Sequence, residues 1–259
     1  MRIVSLTCSN TEIVCSLNCG HMLVGVDADS DFPEEVVSQL PRVGRDLDIE
    51  VEKVAALKPD LVIASLTVPG HEKVIERLEQ AGLKYIAPEP VSLEDVYDNI
   101  REIAELLDVS SRGEAVIEAM REDIHSEKNT SDTSPSILVQ WWPKPVIAPG
   151  KQSWVNDLII AAGAINPLGQ QDCKSKPLED HEIISLDPDA IVISWCGVSL
   201  EKYRPEVIYR NEAWQSVQAI KNQQVHCITE AFLGRPSPRL VDGFKQLKEI
   251  VSNLANEPS

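Results

Sequence analysis

Three cysteines lie in predicted loops at strand ends, where their thiols could take part in chemistry: Cys8, Cys173 and Cys196. A thiolate in such a loop could bind a soft metal ion or contact a cofactor. The metal-binding signal is weak, because the sequence has no C-x-x-C pair and no histidine at ligand spacing. The other cysteines are expected to be small buried hydrophobic residues: Cys15 and Cys19, on one face of the first helix, and Cys227.

All five tryptophans lie in the second half of the chain, and three of them follow predicted strands. Trp141, Trp142 and Trp195 could wall a site for a large, flat and mostly apolar ligand. The same positions suit the last layer of a core equally well, and the sequence leaves this choice open. Trp154 and Trp214 lie in amphipathic helical contexts and are expected in the core.

Motifs that would indicate catalysis are absent from the sequence. There is no G-x-x-x-x-G-K-[ST] phosphate loop, no G-x-G-x-x-G after a strand and no G-x-S-x-G nucleophile elbow. The five histidines form no H-E-x-x-H or H-x-H pattern, and no nucleophile has an evident base. The sequence therefore predicts a binding protein without catalytic residues.

Short β-branched runs alternate with helical patterns along the whole chain. Strands are predicted at 2–6, 22–26, 60–65, 84–88, 136–141, 190–194 and 224–228. Helices are predicted at 10–18, 48–57, 71–82, 92–107, 153–163, 181–186 and 238–254. The first helix is expected to stop at Gly20. This alternation predicts βαβ units with parallel sheets, that is, an α/β fold.

One unit of sequence occurs twice. LKPDLVIAS at 57–65 matches LDPDAIVIS at 186–194, and the offset from Pro59 to Pro188 is 129 residues. A helix-Pro-Asp-strand unit that recurs at half the chain length predicts two similar lobes.

We predict an N-terminal lobe at 1–107, a long connecting helix at 108–130 and a C-terminal lobe at 131–259. In parallel α/β sheets, ligands bind beyond the carboxyl ends of the strands. The sequence therefore predicts a ligand cleft between the two lobes.

The charge of the chain excludes some partners. With 24 Lys and Arg against 41 Asp and Glu, the formal net charge is −17, which disfavours nucleic acid and anionic lipid. We find no apolar run of about 18 residues for a membrane span and no leader pattern after Met1. With reduced thiols, this predicts a cytoplasmic protein. The alternative is a periplasmic protein whose leader has been removed.

Five segments resemble the cobalamin-binding and iron-complex-binding solute receptors of ABC importers: RIVSLTCSNTEIV, VGVDADSDFPEEV, VEKVAALKPDLVIAS, GKQSWVNDLIIAAGAINPLG and FLGRPSPRLVDGFKQL. The match runs from Arg2 to about Leu254. It is closest to leaderless members of the cobalamin branch, which share the Cys196–Gly197 pair and the R-P-x-P-R segment that begins at Arg235. The resemblance implies two Rossmann-like lobes, a rigid connecting helix and a ligand held between aromatic walls.

The resemblance implies that a corrinoid, cobalamin, is bound and not transformed. The predicted ligand contacts lie at strand ends or in the matching segments: Cys8, Ser9, Asp31, Phe32, Arg45, Leu66, Thr67, Trp141, Trp142, Trp195, Cys196 and Phe232. Cys8 stands where the family usually has proline.

Two alternatives remain. A haem or ferric-siderophore receptor would need an axial ligand for haem or clustered cations for an anionic siderophore. The available cations are Arg45, Lys144, Lys151, Lys174, Lys176 and Arg235. The second alternative is a cytoplasmic enzyme that handles a metal or cofactor with the three loop cysteines.

The resemblance also bears on partners, because importer receptors of this family dock on their permease through one surface glutamate per lobe. Glu72 matches the first position, whereas the second, before Arg235, holds Gly234. This departure predicts a soluble carrier or storage role more than delivery to an ABC permease.

Overall fold

Aliphatic runs in the first half of the chain form a parallel sheet. The computed structural model describes residues 1–125 and 134–256, and its first compact unit comprises residues 1–90 and 95–120. The strands of this unit are β1 Ile3–Ser5, β2 Leu23–Val26, β3 Gly44–Arg45, β4 Asp48–Ile49, β5 Leu61–Ile63 and β6 Tyr85–Ile86. The parallel sheet has the order β2-β1-β5-β6, while β3 and β4 form an antiparallel hairpin.

The helices of this part of the chain are α1 Cys8–Ser16, α2 Glu34–Val37, α3 Val51–Ala56, α4 His71–Gln80, α5 Leu93–Leu106 and α6 Ser110–Asp123, whose end belongs to the second unit. On α5, Val96, Ile100 and Ile103 are fully buried, at the spacing of one helical face. A Cβ on Gly113 of α6 would lie 2.6 Å from the Cβ of Ala104, so glycine permits the close approach of these two helices. The connecting helix predicted over 108–130 includes α6, and its residues 126–130 lie outside the described ranges.

The first helix ends earlier than predicted. Its C-cap is Leu17, and Asn18 adopts a left-handed backbone with φ of 57°. The N–H groups of Asn18 and Cys19 donate to the carbonyls of Cys15 and Val14, which forms a Schellman cap. Asn18 therefore takes the role predicted for Gly20, since asparagine tolerates this conformation. Cys19 lies beyond the helix and does not share its face.

The second unit comprises residues 91–94 and the described residues from Arg121 onward. Its strands are β7 Ile137–Gln140, β8 Trp142–Pro143, β9 Val146–Pro149, β10 Ser175–Leu178, β11 Ala190–Ile193 and β12 Val225–Cys227. A parallel sheet has the order β12-β11-β7, and a second, antiparallel sheet has the order β10-β9-β8. The helices are α7 Trp154–Ala161, α8 Asp180–Leu186, α9 Pro205–Tyr209, α10 Gln218–Lys221, α11 Glu230–Leu233 and α12 Leu240–Asn256.

The sequence repeat is also a structural repeat. β5 and β11 begin 129 residues apart, each next to the first strand of its unit. Lys58 and Asp187, at the same offset, both adopt a left-handed backbone, with φ of 49° and 40°. The N–H groups of Asp60 and Asp189 each donate to the carbonyl of the residue that precedes the neighbouring strand.

The α/β fold class with parallel sheets is confirmed. Among the helices of the described ranges, none combines the length and the apolar character that a membrane span requires.

Candidate functional site

The carboxyl end of the first sheet carries a thiol next to a buried carboxyl group. Cys8 begins α1 directly after β1, and its Sγ lies 3.9 Å from Oδ2 of Asp27, which follows β2. Asp27 is only 1% exposed, and burial raises its pKa above the ordinary value. A hydrogen bond from Ser30 and one from the Asp29 N–H act in the opposite direction. Cys8 is therefore placed as a weak S–H donor to Asp27.

A buried hydroxyl network holds this end of the first sheet in place. The Thr11 hydroxyl donates to Ser5 Oγ at 2.9 Å and lies 3.0 Å from Ser30 Oγ, which in turn donates to Asp27. One Arg42 nitrogen donates to the carbonyls of Asp27 and Ser30. The loop after β2 is therefore fixed from both sides, which gives the predicted ligand residues that follow it a rigid base.

Four more predicted contacts of the first unit, Asp31, Phe32, Leu66 and Thr67, lie on loops. Asp31 and Phe32 are exposed, and Phe32 leaves 46% of its surface open. Leu66 and Thr67 are half-buried after β5, where the Thr67 hydroxyl lies 2.9 Å from that of Ser65. Ser9 is buried within α1. Phe32 is thus the aromatic side chain that this face offers to a ligand.

In the second unit, Trp195 belongs to the core. Its side chain is 7% exposed, its indole Nε1 donates to Gln140 Oε1 at 2.9 Å, and its ring lies 5.4 Å from that of Tyr203. The Tyr203 hydroxyl donates back to the Trp195 carbonyl at 3.1 Å. The sequence left two interpretations open for Trp195, and its burial and hydrogen-bonded indole support the core. The prediction that Trp195 forms part of a ligand wall is corrected accordingly.

The next residue has the opposite environment. Cys196 is exposed, while its backbone N–H donates to the carbonyl of Trp141 at 3.1 Å. Trp142 leaves 42% of its surface open. Trp141 is half-buried against Trp154, with ring centroids 6.2 Å apart, and its buried Nε1 has no hydrogen-bond partner among the described residues. Cys196, after β11, and Trp142, the first residue of β8, therefore present a thiol and an indole at the surface.

Phe232 and the R-P-x-P-R segment pack on each other. The guanidinium of Arg239 lies 4.9 Å from the centre of the half-buried Phe232 ring. Arg235 is buried, and its Nε and one terminal nitrogen both donate to Glu230 Oε1, at 3.0 and 2.8 Å. Arg235 therefore forms a structural ion pair with Glu230, and this pair holds the loop after α11 in place.

Two more of the cations considered for a siderophore are paired with carboxylates. Arg45 contacts Asp29 at 2.8 Å, and this hydrogen bond raises the pKa of the guanidinium. Lys176 contacts Glu182 on α8. With Arg235, half of the six predicted cations are committed to neighbours within their own unit.

The loop cysteines Cys8, Cys173 and Cys196, weak candidates for metal ligands, gain no support from the geometry. In residues 1–125 and 134–256, no group of three or more His, Cys, Asp or Glu side chains could hold a metal ion. Cys173 is half-buried and packs against Gly150, where an added Cβ would lie 2.6 Å from the sulfur. Burial and the nearby Glu35 and Glu12 raise the pKa of Cys15 to about 11, so this thiol stays protonated.

The repeat identifies a functional candidate that the sequence interpretation missed. Glu72 lies in the first turn of α4 and accepts a hydrogen bond from the Gly70 N–H at 2.8 Å. The offset of 129 residues that relates β5 to β11 aligns Glu201 and Lys202 with Glu72 and Lys73. Both glutamates are exposed. The counterpart of Glu72 by internal repeat is therefore Glu201, and the assignment to Gly234 rested on the resemblance alone.

Two similar parallel α/β units in one chain are typical of a class of ligand-binding proteins. The periplasmic binding protein family matches residues 3–231, and the chain belongs to this family of solute-binding, non-catalytic proteins. An ABC transporter substrate-binding lipoprotein of Bacillus subtilis is 28% identical over 258 residues, 96% of this chain and 79% of that protein.

Other similar proteins carry named ligands. A vitamin B12-binding protein of Vibrio parahaemolyticus is 25% identical over 250 residues, 96% of this chain and 88% of that protein. The apo structure of a periplasmic haem-binding protein from Roseiflexus sp. RS-1 has a TM-score of 0.79 and 25% identity, over 98% of this chain and 99% of that one. The resemblance to solute receptors of ABC importers is thus confirmed.

Proposed function

We propose that this protein binds a corrinoid of the cobalamin type. The observation that carries the proposal is the pairing of Arg45, Lys176 and Arg235 with carboxylates. Haem propionates and anionic siderophores need unpaired cations, whereas a corrinoid can be held mainly by apolar and aromatic contact. The vitamin B12-binding relatives support the same ligand.

The geometry of the buried histidine of the first unit argues against haem ligation by that residue. His71 is buried, its Nε2 lies 2.9 Å from Asp46 Oδ1, and its Nδ1 accepts a hydrogen bond from the Val68 N–H. With both ring nitrogens engaged, His71 is a poor axial ligand. The exposed Cys196 thiol is the feature that favours haem as a second candidate, because thiolate is an established axial ligand of haem iron.

Direct binding distinguishes the candidates. Purified protein is titrated by calorimetry with cyanocobalamin, haemin and a ferric hydroxamate siderophore, and absorption spectra are recorded for the two coloured cofactors. We expect cyanocobalamin to bind most tightly. Tighter binding of haemin, with a Soret shift that Cys196→Ser abolishes, would replace the corrinoid with haem.

Two exposed aromatic residues provide the matching variants. Phe32→Ala and Trp142→Ala should each weaken cyanocobalamin binding by roughly 1–3 kcal/mol, the effect of losing an aromatic contact residue. Ile184→Ala is the control, since Ile184 is similarly exposed but lies on α8. Equal affinities for all three variants would remove both aromatic residues from the site.

Cellular location and partners are part of the proposal. The similar lipoprotein belongs to an ABC transporter, which supports pairing of this protein with a permease in place of the predicted storage role. We propose Glu72 and Glu201 as the docking carboxylates. The predicted cytoplasmic location stays a prediction, and fractionation of the native host with an antibody against the protein would test it.

A further inference from the structure

A cavity of about 920 Å³ opens on the second unit. Three segments form its walls: the turn between β8 and β9, the end of β10 with the start of α8, and residues 207–214 around α9. None of the twelve predicted ligand residues is among the described residues that line it. The volume lies within the roughly 300–1,000 Å³ of small-molecule sites.

The cavity is preformed, because its walls are linked to each other. Val146 and Leu178 are paired across the β9–β10 ladder, which joins the first wall to the second. The indole Nε1 of Trp214 donates to Asp180 Oδ1 at 2.8 Å, which joins the second wall to the third. Reciprocal hydrogen bonds between Glu179 and Glu182 fix the start of α8. Such a cavity requires little ordering when a ligand enters.

The lining combines an apolar floor with charged groups at the rim. Val146, Leu178, Ile208 and Trp214 are buried apolar residues of the floor. Val207 leaves 59% of its surface exposed, so a large aliphatic side chain faces solvent at the edge. An apolar body is the part of a ligand that this surface would remove from water.

The charged groups at the rim determine which sign of ligand charge the cavity favours. Glu179 and Asp180 stand against a single lysine, Lys144, and His181 lies 3.3 Å from Glu179. Asp180 uses one oxygen for Trp214, and its other oxygen has no partner within the described ranges. The net charge of −17 for the whole chain also attracts positively charged ligands over longer distances.

We propose that this cavity is a second ligand site, which takes a small organic cation with a flat apolar body, such as an aromatic amine. The ammonium group contacts the open oxygen of Asp180, and the ring covers the apolar floor beside Val207. This site is separate from the residues proposed to bind the corrinoid, so either proposal can fail without the other.

Nuclear magnetic resonance of the ¹⁵N-labelled chain tests the proposal with two probes that share a ring, tryptamine as the cation and indole-3-propionate as the anion. Tryptamine should shift amide signals of residues 143–146, 178–181 and 207–214. Asp180→Asn should weaken its binding about tenfold or more, the loss of a charge-assisted contact. Glu212→Gln is the matched control, because it removes an exposed carboxylate of the same segment that does not line the cavity.

Val207→Arg is a second variant that keeps the test decisive if Asp180→Asn is unstable. It places a cation at an exposed position of the rim and should also abolish tryptamine binding. The proposal is overturned if indole-3-propionate binds as tightly as tryptamine, or if Glu212→Gln and Asp180→Asn have equal effects. It is also overturned if millimolar tryptamine leaves the cavity amides unshifted.

Discussion

The indole Nε1 of Trp195 donates a hydrogen bond to Oε1 of Gln140 at 2.9 Å, between the ends of two neighbouring parallel strands. Gln140 is 1% exposed, so its side-chain oxygen has no access to water as a substitute partner. The bond therefore fixes the last layer of the second core, directly below the exposed Cys196.

Trp195→Ala should lower the free energy of unfolding by about 3–5 kcal/mol, the range for removing a large buried aromatic side chain. It also leaves the Gln140 oxygen without its donor. Denaturation by urea measures the change, with Trp142→Ala as the exposed control, for which we expect about 0.5 kcal/mol or less. Equal effects of the two substitutions would show that Trp195 does not support the core.

The thiols should react in the order of their exposure. In the ligand-free protein at pH 8, iodoacetamide should label Cys196 first and Cys8 more slowly. Cys19 is fully buried and the raised pKa of about 11 keeps Cys15 protonated, so both should resist labelling in the folded chain. Peptide mass spectrometry reports each site.

Bound cyanocobalamin should then slow the labelling of Cys196 if this thiol faces the corrinoid. An unchanged rate for Cys196, at saturating cyanocobalamin, would place it outside the ligand site. Fast reaction of Cys15 or Cys19 in the native chain would contradict their burial.

The fold was accessible from sequence because its signals are local. The strand runs and the two Pro-Asp units predict the parallel sheets and their repeat from neighbouring residues alone. The end of α1 was misplaced because Gly20 is the more usual stop signal, whereas Asn18 takes the left-handed conformation two residues earlier.

The site was harder to predict, because the burial and pairing of its side chains depend on residues that are distant in sequence. Whether Trp195 faces ligand or core depends on Gln140, 55 residues away, and a strand-end aromatic suits both. The buried pair of Arg235 and Glu230 likewise requires the fold of the loop after α11. Glu201, in contrast, could be found from sequence. The alignment of the two repeat segments only had to be extended by a few residues to pair it with Glu72.

Asp27 should give the protein a distinctive pH dependence. Burial raises its pKa in the folded state above the ordinary value of about 3.9, so the folded protein holds this proton more tightly than the unfolded chain. Its ionisation therefore costs stability progressively as the pH rises from the ordinary pKa to the folded pKa. Asp27→Asn cannot ionise and should gain stability relative to wild type across that window.

Urea unfolding of both proteins at pH 4 to 8 measures the difference. Asp48→Asn removes an exposed carboxylate of the same unit and corrects for the general effect of charge. A difference between Asp27→Asn and wild type that stays constant with pH, or that falls as the pH rises, would show that Asp27 does not carry this cost.

The last prediction concerns the two exposed glutamates that the internal repeat relates. If the protein docks on a permease through one carboxylate per unit, Glu72→Ala and Glu201→Ala should each weaken binding to a cobalamin permease in nanodiscs by about tenfold or more, the equivalent of about 1.5–3 kcal/mol for a charge-assisted contact. Glu76→Ala and Glu206→Ala are the controls, since each removes an exposed carboxylate a short distance along the same segment. Gly234→Glu should add no affinity, because the repeat assigns the second position to Glu201. Binding that depends on Gly234→Glu and ignores Glu201→Ala would restore the assignment made from the resemblance, and with it the carrier role.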